Sequence, residues 1–368
     1  MAIGLSLYLD LLRFLMAFTV MLGHASDPAF LDTSRLLRGF PRYGLTAVTG
    51  FFVLSGMVIA HVSTGSERDP RRYFVARASR LYSVVLPALA LTALLALVGS
   101  HVDPHLYQDG PIHVRSEQPR RYLLTALLVQ NFWIWPREMT PGVNHPFWTL
   151  SYEATYYLVF GLLLTRRVPI IVCGSALALA LAGPKIAALM PIWFLGVATY
   201  YASKRFSVPR PLALILLIGS LVGICWLGGM RLDDDNIVRY DLDYGEALLF
   251  SCNLFSASVL APWLATVLLG RSEMVRYLGM LTFALYLCHR PLLYFFTALH
   301  LAQPGTWVQT AWLFTMTLLV VIAVAHLAEW ARRSMRGRWL ASVPRRGAAA
   351  LPGDCGRDAP SAFGAGPK

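Results

Sequence analysis

A few ionisable residues stand inside the long apolar stretches of this chain, and their types and spacing suit anion binding and proton transfer. Arg13 and His24 bracket the run LDLLRFLMAFTVMLGH, which opens on Leu9 and Asp10. On one helix eleven residues make close to three turns, so the guanidinium and the imidazole share a face about 16 Å apart along the axis. Arg77 and Arg80 form an R-x-x-R on one helical face. Glu153 lies about two turns inside an apolar segment, where a carboxylate needs a partner, a proton or a cavity. His289 and Arg290 are neighbours in mid-segment with Pro291 behind them. Cations suit a phosphate-bearing ligand. An imidazole beside a carboxylate suits a general base whose tautomer is fixed by its partner. Together they suggest group transfer from a phosphorylated donor on one side to an acceptor on the other. A proton-coupled transporter needs similar residues. Two readings of the first stretch stand side by side: a polar cavity lined by Arg13 and His24, or an anchor in which Asp10 and Arg13 pair at one interface and His24 marks the other.

The elements that position these groups are membrane helices. The 368-residue chain is 56% hydrophobic and only 14% charged, with a mean hydropathy of +0.54. A soluble domain is about a quarter charged. We expect an all-α polytopic bundle of about ten spans, each long enough for a hydrocarbon core of about 30 Å. They fall near 6–26, 42–63, 73–99, 146–165, 168–183, 187–203, 211–229, 245–269, 275–299 and 307–331. The first carries no small-residue cleavage site behind a basic start and reads as a retained span. The piece 122–135 reads as one short re-entrant or interfacial helix, ended by Pro136 and Pro141. Gly50, Ser55 and Gly56 suit close helix packing, and Trp148, Tyr152, Tyr156 and Tyr157 suggest an aromatic belt. Residues 168–229 read as scaffold. Residues 1–333 form the membrane domain, and 334–368 a disordered basic tail.

The net charge of +12 does not indicate nucleic acid, because the basic residues gather in short loops and in the tail. With both termini cytoplasmic, the loop holding Arg68, Arg71 and Arg72, the pair Arg166 and Arg167, and the group Lys204, Arg205 and Arg210 all lie inside. The acidic stretch 231–245 then lies outside. Five cysteines, Cys173, Cys225, Cys252, Cys288 and Cys355, make no CxxC, and no metal site is expected from them or from His101, His105 and His113. The loops 27–42, 100–121 and 230–245 are the expected carriers of acceptor choice.

Five stretches, in order, resemble the bacterial membrane acyltransferase family 3. Asp10, Arg13 and His24 resemble its opening motif, and FFVLSGMVI at 51–59 its second-helix motif. YFVARASRLYSVVLP is similar to its basic third-helix entry, with Arg77 and Arg80 matching the R-x-x-R. FWTLSYEATYYL resembles its Trp-Ser-Leu-x-x-Glu block, mapping Trp148 and Glu153. LGMLTFALYLCHRPLL is similar to its late Tyr-Leu-x-His-x-Pro-Leu motif, mapping Tyr286, His289 and Pro291. The segment GLTAVTGFF lacks the aspartate usual at the second-helix start. Tyr152 and Ala154 flank Glu153, where Val and a second Glu are frequent.

The resemblance implies an O-acyltransferase in the bacterial inner membrane, without a bound cofactor and without a fused periplasmic domain. Acyl-CoA, commonly acetyl-CoA, is the cytoplasmic co-substrate. The acceptor is a carbohydrate or glycolipid at the outer side, and membrane lipid surrounds the bundle. Arg13, Arg77 and Arg80 would hold the donor. His24, oriented by Glu153 or a neighbour, would take the hydroxyl proton. His289, Arg290, Trp148 and Tyr286 would shape the acceptor site or stabilise the oxyanion. A glycolipid or acyl-group transporter is the alternative; it would be expected to carry internal repeats, and none is evident. A non-catalytic assembly factor leaves the buried Arg, His and Glu unexplained.

Overall fold

The computed structural model describes residues 1–27, 30, 39–108, 117–231, 239–301 and 306–341. Among them every regular element is helical, as apolar runs in a membrane require when each backbone polar group must be satisfied within its own segment. Chain order gives α1 (Ile3–Ala25), α2 (Tyr43–Ser63), α3 (Pro70–Val102), α4 (Pro104–Gln108), α5 (Gln118–Ala126), α6 (Trp148–Leu164) and α7 (Val168–Ala182). There follow α8 (Pro184–Arg205), α9 (Arg210–Gly229), α10 (Tyr240–Val259), α11 (Ala261–Leu268), α12 (Ser272–Ala298) and α13 (Trp307–Ala341).

Seven stretches among the described residues are long and apolar enough to cross a membrane: α1, α2, α3, α8, α9, the α11–α12 unit and α13 up to Met335. The other three expected spans have helices at their positions that miss this standard. α6 has 17 residues and α7 has 15, and α10 opens on Asp241 and Asp243. The expected span 245–269 breaks at Leu260, where Pro262 starts α11. Leu94, Ile215, Val222 and Leu319 project outward from α3, α9 and α13, an apolar surface suited to lipid. The last helix runs to Ala341, past the expected start of the tail; residues 342–368, with Cys355, lie outside the described residues.

Small residues let the central helices touch. A Cβ on Gly56 would overlap the Trp193 carbonyl of α8, and one on Gly196 would overlap the Val53 carbonyl of α2. The two backbones are in direct contact there, as small residues permit between membrane helices. A Cβ on Gly4 would likewise overlap the Ala261 carbonyl, which brings α11 against the start of α1.

The piece at 122–135 forms only the nine-residue α5, too short to span. Neither expected proline ends it. Leu128 takes φ 61°, its N–H donates to the Thr125 carbonyl, and the Val129 N–H donates to the Leu124 carbonyl. This pair of bonds closes the helix end ahead of Pro136. The irregular chain beyond is pinned by side chains: Arg121 Nη1 donates to the Glu138 carbonyl at 2.9 Å, and Gln130 Nε2 to that of Phe147 at 2.6 Å.

The expected aromatic belt is not at an interface. Tyr152, Tyr156 and Tyr157 are buried, because neighbours surround α6 on most sides. The Tyr156 hydroxyl donates to the Ile186 carbonyl, and Tyr157 turns toward the cavity described next.

Candidate active site

Two groups of ionisable side chains meet inside the bundle. The first surrounds a cavity of about 110 Å³ between α1, α2, α3, α6 and α12. Its walls are apolar, with Phe51, Leu54, Val58 and Phe283 prominent, and its charged members are Arg13, Arg77, Arg80 and Glu153. The fold thus gathers all three expected donor-binding arginines on one cavity, α1 supplying Arg13 and α3 the R-x-x-R.

The three arginines differ in what they have left to offer. Arg13 Nη2 bonds Asp10 Oδ1 at 2.6 Å, and Nε donates to the Leu9 carbonyl at 3.3 Å. Arg77 Nη2 bonds Glu67 Oε2 at 2.6 Å, and its guanidinium lies 5.8 Å from the centre of the Tyr157 ring. The Arg80 guanidinium makes no hydrogen bond or ion pair with a described residue, yet lies close enough to act electrostatically on Asp10, Arg13 and Tyr157. An unpaired guanidinium beside two paired ones is a ready anion site.

Glu153 does not pair with His24, as sequence had suggested. Depth along two helices says nothing about the direction each side chain takes. The Glu153 carboxylate accepts from the Tyr157 hydroxyl one turn on, and from Ser55 Oγ at 3.2 Å. Trp193 Nε1 of α8 donates to the same Ser55 Oγ at 3.2 Å. Ser55, which lines the cavity, and Trp193, which bonds it, support the Glu153 carboxylate; sequence suggests only packing for the first and scaffold for the second.

The second group sits about 16 Å from Arg13 along α1. Arg290 Nη1 donates to His24 Nδ1 at 2.8 Å. The His24 and His289 rings stack with centroids 5.3 Å apart and planes 19° apart. His289 is fully buried and Arg290 nearly so. Pro291 explains how α12 is fixed here. It has no N–H, so the Leu287 carbonyl loses its helical donor. Asn144 replaces it: Nδ2 donates to that carbonyl at 2.8 Å and to Thr92 Oγ1 at 2.9 Å.

Tyr286 joins the two groups. It lines the cavity, its hydroxyl accepts from Thr149 Oγ1 at 3.1 Å, and its ring meets that of His289 edge-on at 6.4 Å. Trp148 does not share this place. It packs edge-on against Tyr152 at 5.1 Å and lines a separate small recess with Thr49 and Ile192.

The arrangement is a cationic, apolar-walled cavity whose wall includes Tyr286, and beyond that ring stand the buried His289 and the half-buried His24. A family described as an acyltransferase domain, acyltransferase family 3, matches residues 6–326. The chain belongs to this acyltransferase family. That stretch runs from the start of α1 into α13, so it takes in both groups of side chains, and the apolar helices and the family together make this a multi-pass membrane protein. The chain is also similar to the exopolysaccharide production protein ExoZ of Rhizobium meliloti (strain 1021). They are 26% identical over 190 residues, 50% of this chain and 52% of ExoZ. The chain thus spans about half the length of the curated relative it matches. No solved structure matches this acyltransferase-family chain.

Proposed function

We propose that the protein is an O-acyltransferase that moves a short acyl group, acetyl the simplest, from cytoplasmic acyl-CoA to a hydroxyl of an exported polysaccharide or its lipid-linked precursor. The observation that carries this reading is the convergence of Arg13, Arg77 and Arg80 on one apolar-walled cavity, one wall of which, Tyr286, touches His289 of the stacked His24–His289 pair. The volume supports a small acyl head, since a cavity of about 150 Å³ holds benzene. The nucleotide phosphates of the donor then stay at the arginines. The basic loops support both termini in the cytoplasm of a bacterium with the protein in its inner membrane, and the likeness to ExoZ supports an exopolysaccharide acceptor.

In this reading each arginine binds or orients the donor, and the transfer step takes place at the imidazole pair. Glu153 is a positioning residue: it holds Tyr157 and Ser55 against the cavity wall beside the arginines. Purified protein in detergent should release CoA thiol from acetyl-CoA with saturable kinetics. Glu153→Gln keeps an acceptor oxygen for both hydroxyls and removes the charge. It should bind acetyl-CoA as well as wild type or better, and lower kcat about tenfold, the equivalent of about 1.4 kcal/mol. A loss of binding with unchanged kcat would contradict that role, and no thiol release by the wild type would contradict the function.

A further inference from the structure

The two stacked imidazoles are held in opposite hydrogen-bonding states. An arginine side chain only donates, so with Arg290 Nη1 at 2.8 Å, His24 Nδ1 carries the lone pair and neutral His24 keeps its proton on Nε2. A backbone carbonyl only accepts, so with the Leu285 oxygen at 2.8 Å, His289 Nδ1 carries the proton and Nε2 is a bare lone pair. That Nε2 is buried and has no hydrogen-bond partner among the described residues. Among the buried side-chain atoms left without a partner in the described residues it is the only basic nitrogen, and leaving one so costs about 1–3 kcal/mol.

Protonation separates the rings further. His24 can accept a proton only at Nδ1, which requires Arg290 to leave. His289 accepts one at Nε2 while its Nδ1–H stays on the Leu285 carbonyl. The charged and titratable groups around the pair are Arg290 and Tyr286 on α12 and His145 in the turn before α6; Asp27 and Tyr294 lie behind Arg290.

Resting on the transfer reading, we propose that His289 Nε2 is the base for the acceptor hydroxyl and that His24 Nε2–H is the hydrogen-bond donor to the thioester oxygen. The hydroxyl oxygen attacks the carbonyl carbon, its proton passes to His289 Nε2, and the carbonyl π pair moves onto oxygen opposite His24. When the adduct collapses the C–S bond breaks and the sulfur takes the electron pair. The His289 imidazolium returns its proton to the sulfur. Ester and CoA thiol leave, and both rings are neutral again. This reverses the roles that the motif spacing suggested for the two histidines.

The test compares purified wild type, His289→Gln and His24→Gln with acetyl-CoA as donor and water as acceptor, following CoA thiol release against pH. Saturable acetyl-CoA binding reports folding. Glutamine has no basic nitrogen but can still donate from its amide. His289→Gln should lose about 10³-fold in turnover, together with the limb that rises with pH. His24→Gln should lose only about tenfold and keep that limb. The opposite ranking, with the limb kept in His289→Gln and lost in His24→Gln, overturns the assignment. No release by wild type overturns the transfer reading instead. If His289→Gln fails to bind acetyl-CoA, Arg290 carries the test. Arg290→Lys keeps a donor on His24 Nδ1 and should stay within about tenfold of wild type, while Arg290→Met frees that nitrogen and should lose about 10²-fold. A full rate in Arg290→Met overturns the proposal.

Discussion

Arg80→Ala is expected to weaken acetyl-CoA binding by about 10- to 100-fold while leaving the protein folded. The guanidinium lines the cavity and has no hydrogen-bond or ion-pair partner among the described residues, so its removal strands no paired counter-charge there. What is lost is its contact with an anionic ligand, and a hydrogen bond to a charged group is worth about 1.5–3 kcal/mol. Arg80→Lys should fall between the two, since an ammonium keeps the charge and loses the fork. Equilibrium binding in detergent reads the effect directly. The comparison with Arg13→Ala is informative, because that change also frees Asp10, whose other cation, Arg276, is 3.9 Å away. Wild-type affinity in Arg80→Ala would remove the donor from this cavity.

Arg231→Met is expected to be the most damaging change to the fold. Arg231 follows α9 and is almost fully buried. Its Nη2 bonds Asp243 at 2.6 Å and Glu246 Oε2 at 2.7 Å, and Thr46 Oγ1 of α2 donates to Glu246 at 2.7 Å. One guanidinium thus ties α9, α10 and α2 together. Breaking such a pair from one side costs about 3–5 kcal/mol, because the partner charges stay buried and unpaired. A thermal unfolding series in detergent should show a large drop in midpoint for Arg231→Met. Arg231→Met combined with Asp243→Leu and Glu246→Leu should recover much of it, since an apolar set of similar volume removes the stranded charges. A single variant as stable as wild type would show that the network contributes nothing net.

The reach of the sequence was uneven for physical reasons. Spacing within one helix was informative: Arg77 and Arg80, the R-x-x-R of α3, line one cavity together. Spacing could not tell that Arg77 is held by Glu67 while the Arg80 guanidinium finds no partner among the described residues, because that depends on a turn ahead of α3. Contacts between distant segments were not readable. His24 meets Arg290 across 266 positions, and Ser55 meets Trp193 across 138. The tyrosines of α6 looked interfacial because Trp and Tyr favour membrane surfaces, and tertiary packing overrode that preference. Pro291 marked an opening in the backbone ladder, and the residue that closes it, Asn144, stands in a loop with no pattern of its own. The expected specificity loops fall in part on residues 28–29, 31–38, 109–116 and 232–238, outside the described residues.

The central claim is that the arginine cavity and the imidazole pair form one transfer path. The most direct measurement is the movement of radiolabel from [acetyl-14C]acetyl-CoA into exopolysaccharide in membranes carrying wild type or the His24→Ala/His289→Ala double variant. Alkali-labile label on the polysaccharide with wild type, and background label with the double variant at equal protein level, is the predicted result. Equal labelling by both, or none by wild type, would contradict it.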